Sequence, residues 1–165
     1  MNKITKLFIT FLSAITLTLV SISSSLAKVE GEYIVLGAAV SLTGKYSSNG
    51  VHTQNGYNLA VERINKMGGV EVGGKKYKFE IIYYDDESNS GRAAQLAERL
   101  IKQDGVKYML GPYSSGLTKA MAPVTEKYKI PMVEANGASR SLFTKGYKYL
   151  FAVLAPANLY LDVAI

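Results

Sequence analysis

Four short polar segments hold most of the residues able to do chemistry: SLTGKYSSNG at 41–50, DDESNSG at 85–91, GPYSSG at 111–116 and EANGAS at 134–139. In the third, Ser114 and Ser115 follow Gly111-Pro112 and stand at the mouth of a helical pattern. A helix N-terminus presents unpaired N–H groups and a partial positive charge. One serine suffices as the cap, which leaves the second hydroxyl facing outward. That arrangement suits a carboxylate, which needs two or three hydrogen bonds and no full positive charge. A plain cap with an exposed neighbour explains the same pair, and both readings stand. In the fourth segment Asn136-Gly137 makes a turn, and the Ser139 hydroxyl lies in the same crevice as its carbonyls. Glu134 ends a strand expected to be buried, so it either turns to solvent or offers a negative charge to an ammonium group.

Catalysis has little to build on. His52 is the sole histidine and falls at a helix start where exposure is expected, so no Ser/His/Asp set can form. Without cysteine there is no thiolate nucleophile and no disulfide, and without a His/Cys cluster a transition-metal site is not expected. Asp85 and Asp86 end a strand, where an acidic residue holds a ribose in dinucleotide-binding domains. The first loop would then read G-x-G-x-x-G, and it reads GAAVSLTG. Capping of the second helix and its loop is the expected role of these two carboxylates. The formal charge of +6 includes Lys3 and Lys6, and the remaining lysines are scattered. A nucleic-acid binder needs a basic stripe, which the sequence does not show.

The elements that must carry these loops follow from hydrophobic periodicity. EYIVLGAAV (32–40) is a continuous apolar run of the kind found in buried parallel strands. A helix follows, with Gly56, Ala60, Ile64 and Met67 expected on its inner face, ending at Gly68-Gly69. VEVGGKKYKFEIIYY reads as a hairpin turned at Gly73-Gly74, its second arm running on as a strand over 79–84. Ala93, Leu96, Ala97, Leu100 and Ile101 make the clearest amphipathic stripe. A strand at 106–110 leads to a third helix striped by Leu117, Ala120, Met121, Val124 and Tyr128, and IPMVEA and YLFAVLA supply two further strands. Strands alternating with helices specify an α/β fold with a doubly wound parallel sheet. In such a sheet ligands bind beyond the carboxyl ends of the strands, where these four loops gather.

The N-terminus has the layout of a secretory leader: Lys3 and Lys6, an apolar run over 7–20, then Ser25 and Ala27 placed for cleavage after Ala27. The run is shorter than the roughly 20 residues that span a bilayer. The expected product is an exported, soluble, periplasmic protein with one domain's worth of chain. Residues 155–165 break off within an apolar-rich stretch, which reads as a truncated chain.

Taken together, IVLGAAVSLTGKYSSNG, GYNLAVERINKMGGVEVGGKKYKFEIIYYDDESN, AAQLAERLIKQDGVKYMLGPYSSG and IPMVEANGASRSLFTKGYKYLFAV resemble the leucine/isoleucine/valine-binding protein family. These are the type I periplasmic solute-binding proteins of ABC importers. The resemblance covers nearly all of residues 34–154 and implies a two-lobed clamshell that encloses its ligand at the hinge. Residues 28–154 would be the first lobe, incomplete, and 155–165 the crossover toward a second. By the same resemblance Ser115 takes the ligand carboxylate, with Ser114 and Tyr113 beside it. Counting back from Gly146-Tyr147 puts Asn136 at the carbonyl position for an α-ammonium group and Ala138 at a hydroxyl position. Ala138 departs from the family's threonine, and Ser139 is the candidate replacement. Asn49 stands where some leucine binders carry an aromatic residue. The implied function is capture of a branched-chain-like amino acid, or a related zwitterion or amide, for an inner-membrane ABC permease. The carrier would be a monomer without enzymatic activity, cofactor, metal or nucleic acid. Relatives also take urea and aromatic acids. The alternatives are an exported flavodoxin-like enzyme or nucleotide-binding domain, and a ligand-sensing domain of a receptor.

Overall fold

The computed structural model describes residues 29–160. The expected leader at 1–27 lies outside them, as do the last residues of the expected crossover. Seven strands form one sheet: β1 (Val29–Glu30), β2 (Tyr33–Val40), β3 (Val70–Val72), β4 (Lys75–Asp85), β5 (Met109–Leu110), β6 (Met132–Glu134) and β7 (Leu150–Ala152). Their order is β3-β4-β2-β5-β6-β7, with β1 added antiparallel to β2. β4, β2, β5, β6 and β7 run parallel, and β3 returns antiparallel on β4 through the expected hairpin, where Gly73 and Gly74 have φ of 59° and 78°. Crossovers run through α1 (Ser47–Lys66), α2 (Ser90–Lys102) and α3 (Ser115–Tyr128).

This order creates a switch point. The chain leaves β2 toward β4 on one side, then crosses back to β5 on the other side of β2 and continues outward to β6. The loops after β2 and β5 therefore diverge, and the gap between them opens a crevice at the carboxyl edge.

The expected α2 stripe is buried throughout and packs on α3 and on the β2 face that carries Val35 and Ala39. Leu117, Met121 and Ala122 of α3, with Met109 and Met132 of the sheet, complete this core. Gly37 lets the layers approach: a Cβ there would lie 2.9 Å from both Met109 Sδ and Val106 Cγ2. On α3 only Leu117 and Met121 of the expected stripe are fully buried, and Thr118, Ala122 and Thr125 take the remaining inner positions. Val106 is buried in the core as a loop residue, so the strand expected over 106–110 is confined to Met109–Leu110.

The inner face of α1 differs from the sequence expectation. Gly56 and Ala60 are exposed, Met67 is 68% exposed, and the buried positions are Gly50 and Thr53. Polar bonds hold this helix to the sheet: the Tyr57 hydroxyl donates to the Gly111 carbonyl at 2.7 Å, and Asn65 pairs with both backbone groups of Phe79 at 2.8 Å. Beside it, Ile34, Leu36, Phe79, Leu110 and Val133 line an apolar groove of about 380 Å³ on this second sheet face.

Two substitutions test this packing. Leu100 is fully buried, so Leu100→Ala should lower the unfolding free energy by about 2–5 kcal/mol in urea titration. A shift below 1 kcal/mol would mean that α2 is not seated as described. A Cβ at Gly50 would collide with the Ser41 carbonyl, so Gly50→Ala should cost about 1–3 kcal/mol by displacing the start of α1. A neutral result would place α1 farther from β2.

Candidate functional site

The β2 loop is tied down by carboxylates from β4 and the loop that follows it. Asp85 Oδ1 accepts from the N–H groups of Leu42 at 2.9 Å, Thr43 at 3.2 Å and Glu87 at 2.8 Å, while Oδ2 takes the Thr43 hydroxyl at 2.7 Å. Burial works to raise the Asp85 pKa, but these bonds, led by that of the Thr43 hydroxyl, outweigh it and hold the carboxyl below its ordinary value. Asp86 is fully buried and accepts from the Ser41 hydroxyl at 2.6 Å and the Ser88 N–H at 2.8 Å. There burial wins and the pKa is raised. Of the expectation that these aspartates cap the second helix and its loop, the loop part holds, through the N–H groups of Glu87 and Ser88. The helix part is corrected: Asn89 is the cap, accepting from Arg92 N–H at 2.9 Å, and the aspartates also hold the β2 loop. Ser88 completes the tie, its hydroxyl donating to the Thr43 carbonyl at 2.8 Å and accepting from the Tyr46 N–H at 3.0 Å.

Tyr46, fixed in this way, meets Tyr113 of the β5 loop edge to face at 5.5 Å between ring centroids. That contact spans the switch point. Behind Tyr113 the two serines divide their roles. Ser114 is the N-cap of α3, its hydroxyl accepting from the Leu117 N–H at 3.4 Å and its carbonyl receiving the Thr118 N–H at 3.1 Å. Its φ of 78° is one that L-residues adopt at a cost of about 1–3 kcal/mol. The chain thereby enters the helix with Ser115 turned to the β6 loop, where Ser115 Oγ accepts from the Ser139 N–H at 3.0 Å. A hydroxyl that accepts still has a proton to donate. The N–H groups of Ser115 and Gly116, in the first turn, have no partner within the helix.

A cavity of about 400 Å³ opens between these loops, lined by Asn49, His52, Thr53, Gly56, Tyr57, Tyr113, Ala135 and Asn136. Asn49, Tyr113 and Asn136 are thus brought together from three segments far apart in sequence. Ser114 is occupied as a cap. The Ser139 hydroxyl pairs with that of Ser141 at 2.9 Å, so the group Ser139 brings to Ser115 is its N–H. Ala138 gives its carbonyl to the Ala157 N–H at 2.8 Å and is not among the cavity-lining residues.

Sequence reasoning missed His52, Thr53 and Tyr57 as cavity walls. Their i, i+1 and i+5 spacing along α1 was a usable signal, had the polar side of that helix been taken as its inner one. Burial pushes the Tyr57 phenol well above its ordinary pKa, with the nearby negative charge of Glu134 adding to the shift. Glu134 does not turn to solvent: it is fully buried and accepts from the N–H groups of Asn136, at 3.1 Å, and of Gly137. Among the described residues no group of three His, Cys, Asp or Glu side chains is placed to hold a metal ion. The crevice therefore offers hydroxyls, backbone N–H groups, an amide and aromatic walls, which is equipment for binding a small polar molecule.

Comparison with known proteins gives the same picture. The family model of periplasmic binding proteins matches residues 33–162. The leucine-, isoleucine-, valine-, threonine- and alanine-binding protein of Pseudomonas aeruginosa is 28% identical over 79% of this chain and 34% of its own length. Among solved structures, the branched-chain amino acid transporter substrate binding protein LivJ of Streptococcus pneumoniae, in complex with isoleucine, superposes with a TM-score of 0.66 at 30% identity, covering 73% of this chain and 33% of that one. A solute binding protein of an ABC transporter from Rhodopseudomonas palustris, in complex with 3,4-dihydroxybenzoic acid, gives 0.62 at 28% identity over 73% of this chain and 31% of that one. The chain spans about one third of the length of the curated relatives it matches. With the model matched across nearly all of the described residues, on the fold and loop arrangement set out above, the chain belongs to the periplasmic binding protein family.

Proposed function

We propose that the protein is the solute-binding component of an ABC importer, exported through a leader cleaved after Ala27, and that it captures an amino acid or a related small zwitterion in the periplasm. The observation that carries this reading is the pairing of Ser115 Oγ with the Ser139 N–H at the mouth of α3, a cradle that leaves the Ser115 proton and two helix N–H groups for a carboxylate. Asn136 and Tyr113 line the cavity between the same loops, so an ammonium group and the start of a side chain have polar and aromatic surfaces to meet. The P. aeruginosa relative is named for five amino acids and the S. pneumoniae structure holds isoleucine, which supports the same class.

In this reading residues 28–154 supply one lobe, and a second lobe closes over the crevice. Closure removes water from the charge-assisted hydrogen bonds and so strengthens them, without making or breaking a covalent bond. The apolar groove on the second sheet face supports treating the described residues as part of a larger lobe, since such a surface is ordinarily covered.

A second reading, capture of an aromatic acid, is favoured by the aromatic walls of the cavity, Tyr57 and Tyr113 with His52, and by the benzoate-type ligand of the R. palustris structure. Both readings use the carboxylate cradle and differ at Asn136. Calorimetric titration with isoleucine, leucine and valine in parallel with 3,4-dihydroxybenzoic acid separates them. Binding of the first set alone supports the amino-acid reading, and binding of the acid alone replaces it.

The cradle itself is tested by Ser115→Ala in the full-length protein. Loss of one hydrogen bond to a charged group should weaken binding by about 1.5–3 kcal/mol. Unchanged affinity would remove Ser115 from the site.

A further inference from the structure

Glu134 is the most unusual residue of the crevice, because its carboxyl is fully buried at the end of β6 and yet is not a cavity wall. Its Oε2 receives the N–H groups of Asn136 and Gly137, while Oε1 has no partner among the described residues. The surroundings are shaped around it. A Cβ on Gly137 would lie 2.6 Å from Oε2, and a Cβ on Gly111 would lie 2.7 Å from the Glu134 Cβ, so both loops pass it as bare backbone. The Tyr57 hydroxyl fastens the Gly111 carbonyl on the cavity side. Glutamate in such a place costs desolvation, and an apolar residue could end the strand without that cost.

We propose that Glu134 is a positioning residue for the ligand loop: its buried carboxylate grips the N–H groups of Asn136 and Gly137, fixes the course of residues 135–139 past Ser115, and makes that grip dependent on pH. The proposal rests on the solute-binding reading for its functional consequence and on geometry alone for the grip. Two backbone donors on one oxygen impose a tight turn, which carries the Ser139 N–H to Ser115 Oγ and leaves Asn136 on the cavity wall. Donors of this kind bind an ionised carboxylate more strongly than a neutral one.

The titratable group that feels Glu134 from the opposite helix is the Tyr57 phenol, which is neutral over the range in which a carboxyl titrates. Toward α3 and the following 3-10 turn (Arg140–Leu142), the side chains nearest Gly137 are Thr118 and Leu142, neither of which titrates. Burial raises the Glu134 pKa above an ordinary glutamate, against the lowering effect of the two N–H bonds. As pH falls through that raised value, the carboxyl becomes neutral and the grip weakens. The contribution of Glu134 to global stability moves the other way. A carboxyl whose pKa is raised by folding contributes stability that is present at low pH and lost as pH rises through the folded value. Loosening of the loop through Glu134 is therefore a local event, separate from any acid destabilisation that carboxyls with lowered pKa such as Asp85 bring.

The experiment is a pH titration of the backbone amide proton shifts in the ligand-free protein, comparing wild type with Glu134→Gln. The Asn136 and Gly137 amides should titrate together with one midpoint above that of an ordinary glutamate, and both should be flat in Glu134→Gln. Glutamine keeps an oxygen acceptor, and unchanged shifts at Val35 and Leu100 would confirm that the variant folds. Flat wild-type amides, or a titration that survives in the variant, overturn the proposal. In calorimetry with isoleucine at neutral pH, the glutamine variant should bind roughly tenfold more weakly, the difference between a charged and a neutral acceptor. Equal affinity would overturn the positioning role. Failure of the full-length wild type, second lobe included, to bind any amino acid would instead count against the solute reading, since the amide titration requires no ligand.

Discussion

The carboxyl edge of a parallel sheet presents a constraint from which the rest of this site follows. Past the last ladder bond, each loop carries backbone N–H and C=O groups that no strand pairs, and a crevice narrow enough to hold a ligand leaves little water to satisfy them. Here side chains do so. Asp85 and Asp86 serve the loop after β2 and their own loop, Ser114 serves the start of α3, Glu134 serves the loop after β6, and the Tyr57 hydroxyl takes the Gly111 carbonyl after β5. Because each acceptor or donor is itself anchored on a strand or helix, the loops inherit the rigidity of the sheet. Ser139 and Asn136 can therefore stand at fixed separations from Ser115, the first residue of α3, without belonging to regular structure themselves.

Close approach is the second half of the same device. Polar ties are short, and they form only where backbones can come together without a side chain between them. Gly50 sets the first turns of α1 against Ser41, and Gly111 and Gly137 pass on either side of Glu134. The three glycines belong to three different crevice segments, which is why one change in any of them would reach the cavity walls as well as the local backbone.

How much of this was legible in the sequence depended on which force held each element. α2 is held by apolar burial, and its stripe of Ala93, Leu96, Ala97, Leu100 and Ile101 named its inner face correctly. The hairpin at Gly73-Gly74 was also readable, because local backbone geometry decides it, whereas the sequence showed that one of the two serines caps α3 without saying which. α1 is held by hydrogen bonds from Tyr57 and Asn65, so an apolar stripe was the wrong instrument and pointed to Gly56, Ala60 and Met67, which are exposed. His52, Thr53 and Tyr57 were lost with it as cavity walls. Asp85 and Asp86 were recognised as structural, but their partners in the β2 loop are 42–45 residues away, a distance at which capping rules have no reach. Glu134 looked anomalous because a charge at the end of a buried strand is expensive, and the anomaly was a usable signal even though the reading that turned it to solvent did not match its burial.

The site's chemistry also bears on what it can discriminate. Near the cradle the donors are a hydroxyl and backbone N–H groups, and the negative charge of Glu134 is spent on its own loop rather than exposed in the cavity. Neutral dipoles of this kind avoid the desolvation of a fixed cation. In the proposed reading such a cradle would recognise a carboxylate and little else. Selectivity among carboxylates must come from the remaining walls, where Asn49, His52, Tyr57, Tyr113 and Asn136 combine aromatic surface with a few polar tips. A wall of this composition presents apolar surface to a side chain and a few polar tips to any further hydrogen-bonding atom the ligand carries, so the amino-acid and aromatic-acid readings are separated there and not at the cradle.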